Sequence, residues 1–230
     1  MESLINTRAV HQQESLRRCI EAAGFESVDV PVTRTVFFKP EKPLPDADAL
    51  ILFTSVNAVK AFSSMTESRH WDTACVGAKT AAAASTAGFR VLFTPEEYRA
   101  GPFASAVSAA VPRRRRLFYP KSRIAGPVLE NELARAGFQV DSAELYDTVA
   151  ETSSRRALTA YAQTAAGICL MSPSAVLACF EMMPSPPAQL DFLCIGPVTA
   201  EALARYTGRT PFVPSTYTME AMIDQYVQSR

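Results

Sequence analysis

"VGAKTAAAASTAGF", Val76 to Phe89, is the stretch whose reading decides the fold. An apolar segment runs into Gly77, Lys79 and Thr80 follow, and a run of small helix formers ends at Gly88. This reads as a strand, a tight turn and a helix N-terminus. It is not a nucleotide P-loop, which needs a glycine five residues before an unbroken Gly-Lys-Ser/Thr. Here Ala78 separates Gly77 from Lys79, and Asp72, Thr73 and Ala74 stand upstream. What the turn does offer is a set of unpaired N–H groups and partial positive charge suited to an anion.

The turn occurs twice. "IGPVTAEA" (Ile195 to Ala202) puts Gly196 and Thr199 where the first copy has Gly77 and Thr80. "FTSVNAVKAF" (Phe53 to Phe62) is echoed by "LMSPSAVLAC" (Leu170 to Cys179), which pairs Ser55 with Ser172. "CIEAAGF" (Cys19 to Phe25) is echoed by "ELARAGF" (Glu132 to Phe138). A period above a hundred residues excludes a solenoid and implies two similar units. Short β-like runs alternate with helical ones throughout, which predicts parallel sheets flanked by helices. About five strands are expected in each half. Ser153 or Ser154 is expected to cap a helix reaching Thr164, and Thr210 to Val213 to form a last short strand.

Composition narrows the functional classes. The chain has 230 residues, with 23 basic and 23 acidic side chains. No global field recruits nucleic acid or an anionic membrane, so an acidic ligand must be held by local groups. "RRRR" (Arg113 to Arg116) enters its strand from the amino end and reads as a solvated turn. Five cysteines, mostly in apolar segments, read as reduced core residues of a cytoplasmic protein. CxxC and HExxH are absent and the only histidines are His11 and His70, so neither a metal site nor a histidine triad is expected. No signal segment is evident after Met1, and no apolar run has the length of a membrane span.

The ordered set "NTR" (Asn6 to Arg8), "LFTSVNAV" (Leu52 to Val59), "CVGAKTA…AGF", "AGF…LYDTV" (Ala136 to Val149), "LMSPSAV" (Leu170 to Val176) and "CIGPVTAEAL" (Cys194 to Leu203) resembles uroporphyrinogen-III synthase. The likeness runs from about Leu4 to Ile223. Val56 and Ala9 depart from it where proline is common, and Met171 where Ser or Thr is usual. The resemblance implies two similar flavodoxin-like or Rossmann-like α/β domains with parallel sheets, joined by a two-stranded β linker. One domain would comprise 1–32 plus 150–230 and the other 37–143, with 33–36 and 144–149 as linker strands.

The resemblance also implies a cofactor-free lyase. Its substrate would be hydroxymethylbilane, an open-chain tetrapyrrole with eight carboxylates, taken by transient handover from hydroxymethylbilane synthase. The enzyme would work as a cytoplasmic monomer without nucleic acid or membrane. It would remove the terminal hydroxyl as water, close the macrocycle and invert ring D. Orienting this reactive molecule is the main catalytic task. Tyr146 matches the family tyrosine that would protonate or order the departing hydroxyl.

In parallel α/β sheets ligands bind beyond the carboxyl ends of the strands. That rule, with the repeat, nominates Arg8, Ser55, Gly77, Thr80, Lys121, Arg123, Ser172, Gly196 and Thr199 as substrate-binding residues. Plainer roles stand beside these. Serine at such a position most often caps a helix, threonine fixes a turn, and Tyr146 packs a ladder. A non-catalytic two-lobed binding or regulatory protein of the same fold is the rival reading.

Overall fold

The computed structural model describes residues 1–40, 43–95 and 100–229. In chain order the first elements are β1 (Ser3–Asn6), α1 (Gln13–Ala22), β2 (Glu26–Asp29), β3 (Thr33–Phe37), β4 (Leu50–Phe53) and α2 (Val56–Ser63). There follow β5 (Asp72–Cys75), α3 (Ala78–Thr86), β6 (Arg90–Phe93), α4 (Ala100–Ala110), β7 (Leu117–Ser122), α5 (Val128–Arg135) and β8 (Val140–Ala150). The last are α6 (Arg155–Tyr161), β9 (Gly167–Leu170), α7 (Pro173–Met182), β10 (Asp191–Cys194), α8 (Pro197–Ala204) and α9 (Met219–Gln228).

The chain forms two compact units, Met1–Arg34 with Thr148–Arg230, and Thr35–Asp147. The division falls inside β3 and β8. The first sheet has the order β10-β9-β1-β2, and the second β3-β8-β7-β4-β5-β6. Read from the other edge, the first follows the flavodoxin order. Within the second, β6-β5-β4-β7-β8 follows the Rossmann order. The two arrangements are permutations of each other: β9 and β10 stand where β4 and β5 do, and β1 and β2 where β7 and β8 do. The sequence repeats fall on these equivalent elements.

Strand alternation divides the core of each unit into two layers. On β4, Ile51 and Phe53 join one buried cluster, and Leu50 and Leu52 the other. On β9, Ile168 and Leu170 face one layer and Cys169 the other. Helix α1 adds Leu16 and Ile20, four apart on one face, and α9 adds Met222, Ile223 and Tyr226.

Gly88 has φ 91°, and Phe89 N–H donates back to the carbonyl of Ala84 at 3.0 Å. This left-handed cap stops α3 and turns the chain into β6. Gly24 and Gly137 do the same after α1 and α5. That is why "AGF" recurs.

Four expectations are corrected. The first sheet holds four strands and the second six, not five each, because β3 and β8 both join the second sheet. Thr210 to Val213 is no strand: only Phe212 pairs, with Leu193. Pro211 and Pro214 flank it and cannot donate, so the ladder stops at one bridge. The start of α6 differs too. Ser154 makes no side-chain cap, and Ser153 bonds Glu151 instead. Nor is the arginine run merely solvated. Arg115 pairs with Asp72 at 2.9 Å, Arg116 with Asp141 at 2.6 Å, and Arg113 lies 4.5 Å from the Phe138 ring. These contacts brace the amino end of the second sheet.

Gly167 supplies a stability prediction. A Cβ there would lie 2.8 Å from Leu193 Cδ1, 3.2 Å from Leu4 Cδ2 and 3.3 Å from the Asp191 carbonyl. Both leucines are fully buried and cannot swing clear. Gly167→Ala should therefore destabilise by about 1–3 kcal/mol through overpacking. The check is a lower urea midpoint at unchanged slope. Among the described residues no helix is long and apolar enough to cross a membrane.

Candidate active site

Each sheet reverses strand order once, between β1 and β9 in the first unit and between β7 and β4 in the second. A crevice opens outside the carboxyl ends at such a point.

In the first unit the buried Asn6 side chain pins the chain as it leaves β1. Its amide donates to the Gln13 carbonyl at 3.0 Å and to Asp29 at 2.8 Å, and its oxygen accepts from Arg8 N–H at 3.2 Å. Thr7 donates across the reversal to the Cys169 carbonyl at 2.5 Å. Arg8 is thereby held at the strand end. Its Nη1 meets Met219 Sδ at 2.8 Å, Nη2 reaches Gln12 at 3.4 Å, and its buried Nε has no partner. Burial lowers the pKa of its guanidinium. Ser172 caps α7, accepting from Ala175 N–H at 3.2 Å, and bonds Ser174 at 2.9 Å. A cavity of about 160 Å³ lies among Thr7, Arg8, Gln12, Thr33, Met171 and Ser172.

In the second unit Ser55 caps α2 by accepting from Ala58 N–H at 3.0 Å. Its hydroxyl also lies 2.7 Å from the Tyr146 hydroxyl. The Tyr146 ring belongs to the layer with Phe53, Phe62 and Phe118, and the residue is 7% exposed. Burial raises its phenol pKa, and the Ser55 hydrogen bond opposes that rise. Thr54 donates to Tyr119 Oη at 3.4 Å. Lys121 pairs with Glu130 at 2.8 Å. Buried and without partners beside that pair are Glu130 Oε2 and Ser122 Oγ. Arg123 lies 4.1 Å from the Phe38 ring and 3.4 Å from Glu144.

The duplicated turns differ from their neighbours. Gly77 and Gly196 are the N-caps of α3 and α8, both in extended backbone. Thr80 and Thr199 are buried, 6% and 3% exposed, and pack beneath the turns. The Tyr217 ring covers Gly196, where a Cβ would lie 3.3 Å from Tyr217 Cδ1.

The nominated residues thus fall into four sets: Arg8 with Ser172, Ser55 with Tyr146, Lys121 and Arg123 each beside a carboxylate, and the helix starts at Gly77 and Gly196 with their buried threonines. Tyr119 and Glu130 join the second unit's set without having been nominated. Tyr119 carries a signal, since it precedes Lys121 by two residues and shares its strand face. Glu130 carries none, and meets Lys121 only because α5 begins over the end of β7.

A family model described as uroporphyrinogen-III synthase HemD matches residues 14–224. The chain belongs to the uroporphyrinogen-III synthase family. The chloroplastic uroporphyrinogen-III synthase of Oryza sativa subsp. japonica is 24% identical over 144 residues, 60% of this chain. The match spans only 46% of that relative's length. The uroporphyrinogen-III synthetase crystal structure from Helicobacter pylori 26695 superposes with a TM-score of 0.73 at 15% identity, covering both chains completely. A mutant uroporphyrinogen-III synthase from the extremely thermophilic bacterium Thermus thermophilus gives 0.57 at 19% identity, over 100% of this chain and 98% of that one. These likenesses show the shared two-sheet α/β fold of this family.

Proposed function

We propose that this chain is a uroporphyrinogen-III synthase that converts hydroxymethylbilane into uroporphyrinogen III. Family membership over residues 14–224 carries the reading. The terminal hydroxyl leaves as water, the macrocycle closes, and ring D is inverted on the way. The bilane is reactive by itself, so the enzyme's work is to bring the substituted carbon of ring D to ring A.

Tyr146 is proposed as the group at the departing hydroxyl. Ser55 Oγ already accepts from Ala58 N–H, which leaves its own proton free for the phenol oxygen. When Ser55 donates, the phenol proton is free for the leaving oxygen. Arg8, Ser172, Gly77, Thr80, Gly196, Thr199 and Arg123 are proposed to hold carboxylates or shape the surface that does. Backbone N–H groups at helix starts suit this in a chain without net charge. Lys121 enters the same proposal together with Glu130, its ion-pair partner. The finer parts are a monomer, a cytoplasmic site of action and handover from the bilane synthase. Five free thiols fit a reducing compartment.

The decisive experiment makes hydroxymethylbilane in situ with its own synthase, adds this protein, oxidises the products and resolves the porphyrin isomers. Isomer III is expected as the main product. Isomer I alone, the outcome of spontaneous closure, would sink the reading.

A further inference from the structure

Arg8 presents an unsettled charge at the end of β1. Among the described residues no carboxylate pairs with it. Its neighbours are a thioether, Met219 Sδ at 2.8 Å, and an amide oxygen, Gln12 Oε1 at 3.4 Å. Its Nε is buried and unpartnered. A neutral sulfur is a weak acceptor, and 3.4 Å is long for a charged donor. A half-buried guanidinium loses hydration and regains little of it from such partners.

The second unit shows what belongs there. Arg8 precedes Lys121 by 113 residues, the same spacing that separates Gly24 from Gly137 (121 − 8 and 137 − 24). Arg8 lies two residues beyond β1 and Lys121 is the last residue but one of β7, equivalent strands of the two permuted sheets. Lys121 has a carboxylate from its own chain, Glu130, at 2.8 Å. Arg8 has none, and instead borders a cavity of about 160 Å³ with the Thr33 and Ser172 side chains on its wall. That volume accommodates a carboxylate and its methylene.

We propose that the Arg8 cavity of the first unit is a carboxylate-binding subsite, where a propionate or acetate arm of the tetrapyrrole supplies the counter-charge that Glu130 supplies to Lys121. This rests on the activity proposed above and adds to it a specific anchor. The guanidinium engages the carboxylate through its planar set of charged donors, which a lysine cannot reproduce. Gln12 is the element that keeps the site open to a ligand. An acid in its place would neutralise Arg8 from within.

The test has a binding arm and an activity arm. In the first, calorimetry measures uroporphyrin III, the oxidised product, against the parent protein, Arg8→Gln, Arg8→Lys and Gln12→Glu. Arg8→Gln should weaken binding by about ten- to a hundredfold, the scale of one charged hydrogen-bonded contact. Arg8→Lys should recover part of the loss. Gln12→Glu should weaken binding to a similar degree while the melting temperature holds or rises, because it adds an internal ion pair. A purely structural Arg8 predicts the same stability for Gln12→Glu but leaves binding untouched. Gln12→Glu also decides the matter if Arg8→Gln does not fold. Parent protein that fails to bind uroporphyrin III, or variants that bind it as tightly as the parent, overturn the subsite. The second arm is the isomer assay on the parent protein. Loss of isomer III there overturns the proposed activity, while the calorimetry still decides whether the cavity takes a carboxylate.

Discussion

Tyr146→Phe is expected to lower kcat about a hundredfold with little change in KM, the lower end of what one positioned proton donor contributes. The ring stays in its buried layer, so packing is preserved and only the hydroxyl is removed. What is lost is the one phenol held 2.7 Å from Ser55 at the strand-order reversal of the second unit. Ser55→Ala should cost less. It leaves the phenol in place and removes one hydrogen bond together with the cap of α2, which itself stabilises by about 1 kcal/mol. The pH profile adds a second readout. Burial favours the neutral phenol and raises its pKa above the ordinary tyrosine value. The proton is therefore present throughout the neutral range and is lost only as pH rises through that raised value. No alkaline limb from Tyr146 should appear near neutrality. Unchanged kcat in Tyr146→Phe would remove the residue from the mechanism.

Phe62→Ala should destabilise the second unit by about 3–5 kcal/mol, the usual cost of emptying a large aromatic site in a core. Phe62 is fully buried. Its ring lies 5.3 Å from that of Trp71, 5.8 Å from Phe118 and 5.9 Å from both Phe53 and Phe89. Those partners come from β4, β7 and the segments bordering β5 and β6, so collapse around the void would have to move several strands together. Trp71 is the only tryptophan of the chain and belongs to this cluster. Its fluorescence therefore follows the unit in question during urea unfolding, which matters because two units need not unfold as one. A loss below about 1 kcal/mol would show that the cluster is not the keystone that its packing implies.

The legible parts of this protein are those written in local chemistry. "AGF" after α1, α3 and α5 encodes a left-handed cap, and the cap ends the helix wherever it occurs. Gly77 and Gly196 mark helix starts because the same short pattern precedes the same small residues in both halves. Ser55 and Ser172 follow from their strands in the same way, and both prove to be caps. Tyr146 is a different case. No local pattern separates it from a packing tyrosine, and only the family likeness nominates it. The expected last strand fails because Phe212 and Val213 look extended, while the two prolines beside them forbid the ladder.

What the sequence alone determined is therefore most of the elements, the two-fold repeat, the parallel α/β class and the strand ends where a ligand can lie. All of these depend on periodicity and turn residues, which act over a few bonds. Tertiary structure decided which side chains are spent and which remain available. Lys121 is neutralised by Glu130 from the following helix, Thr80 and Thr199 are buried beneath their turns, and Tyr217 covers Gly196. Arg8 ends beside a thioether from a residue far along the chain rather than beside an acid. Charge compensation and burial are set by whichever groups the folded chain brings within a few ångströms. No reading of neighbours along the sequence could have supplied that.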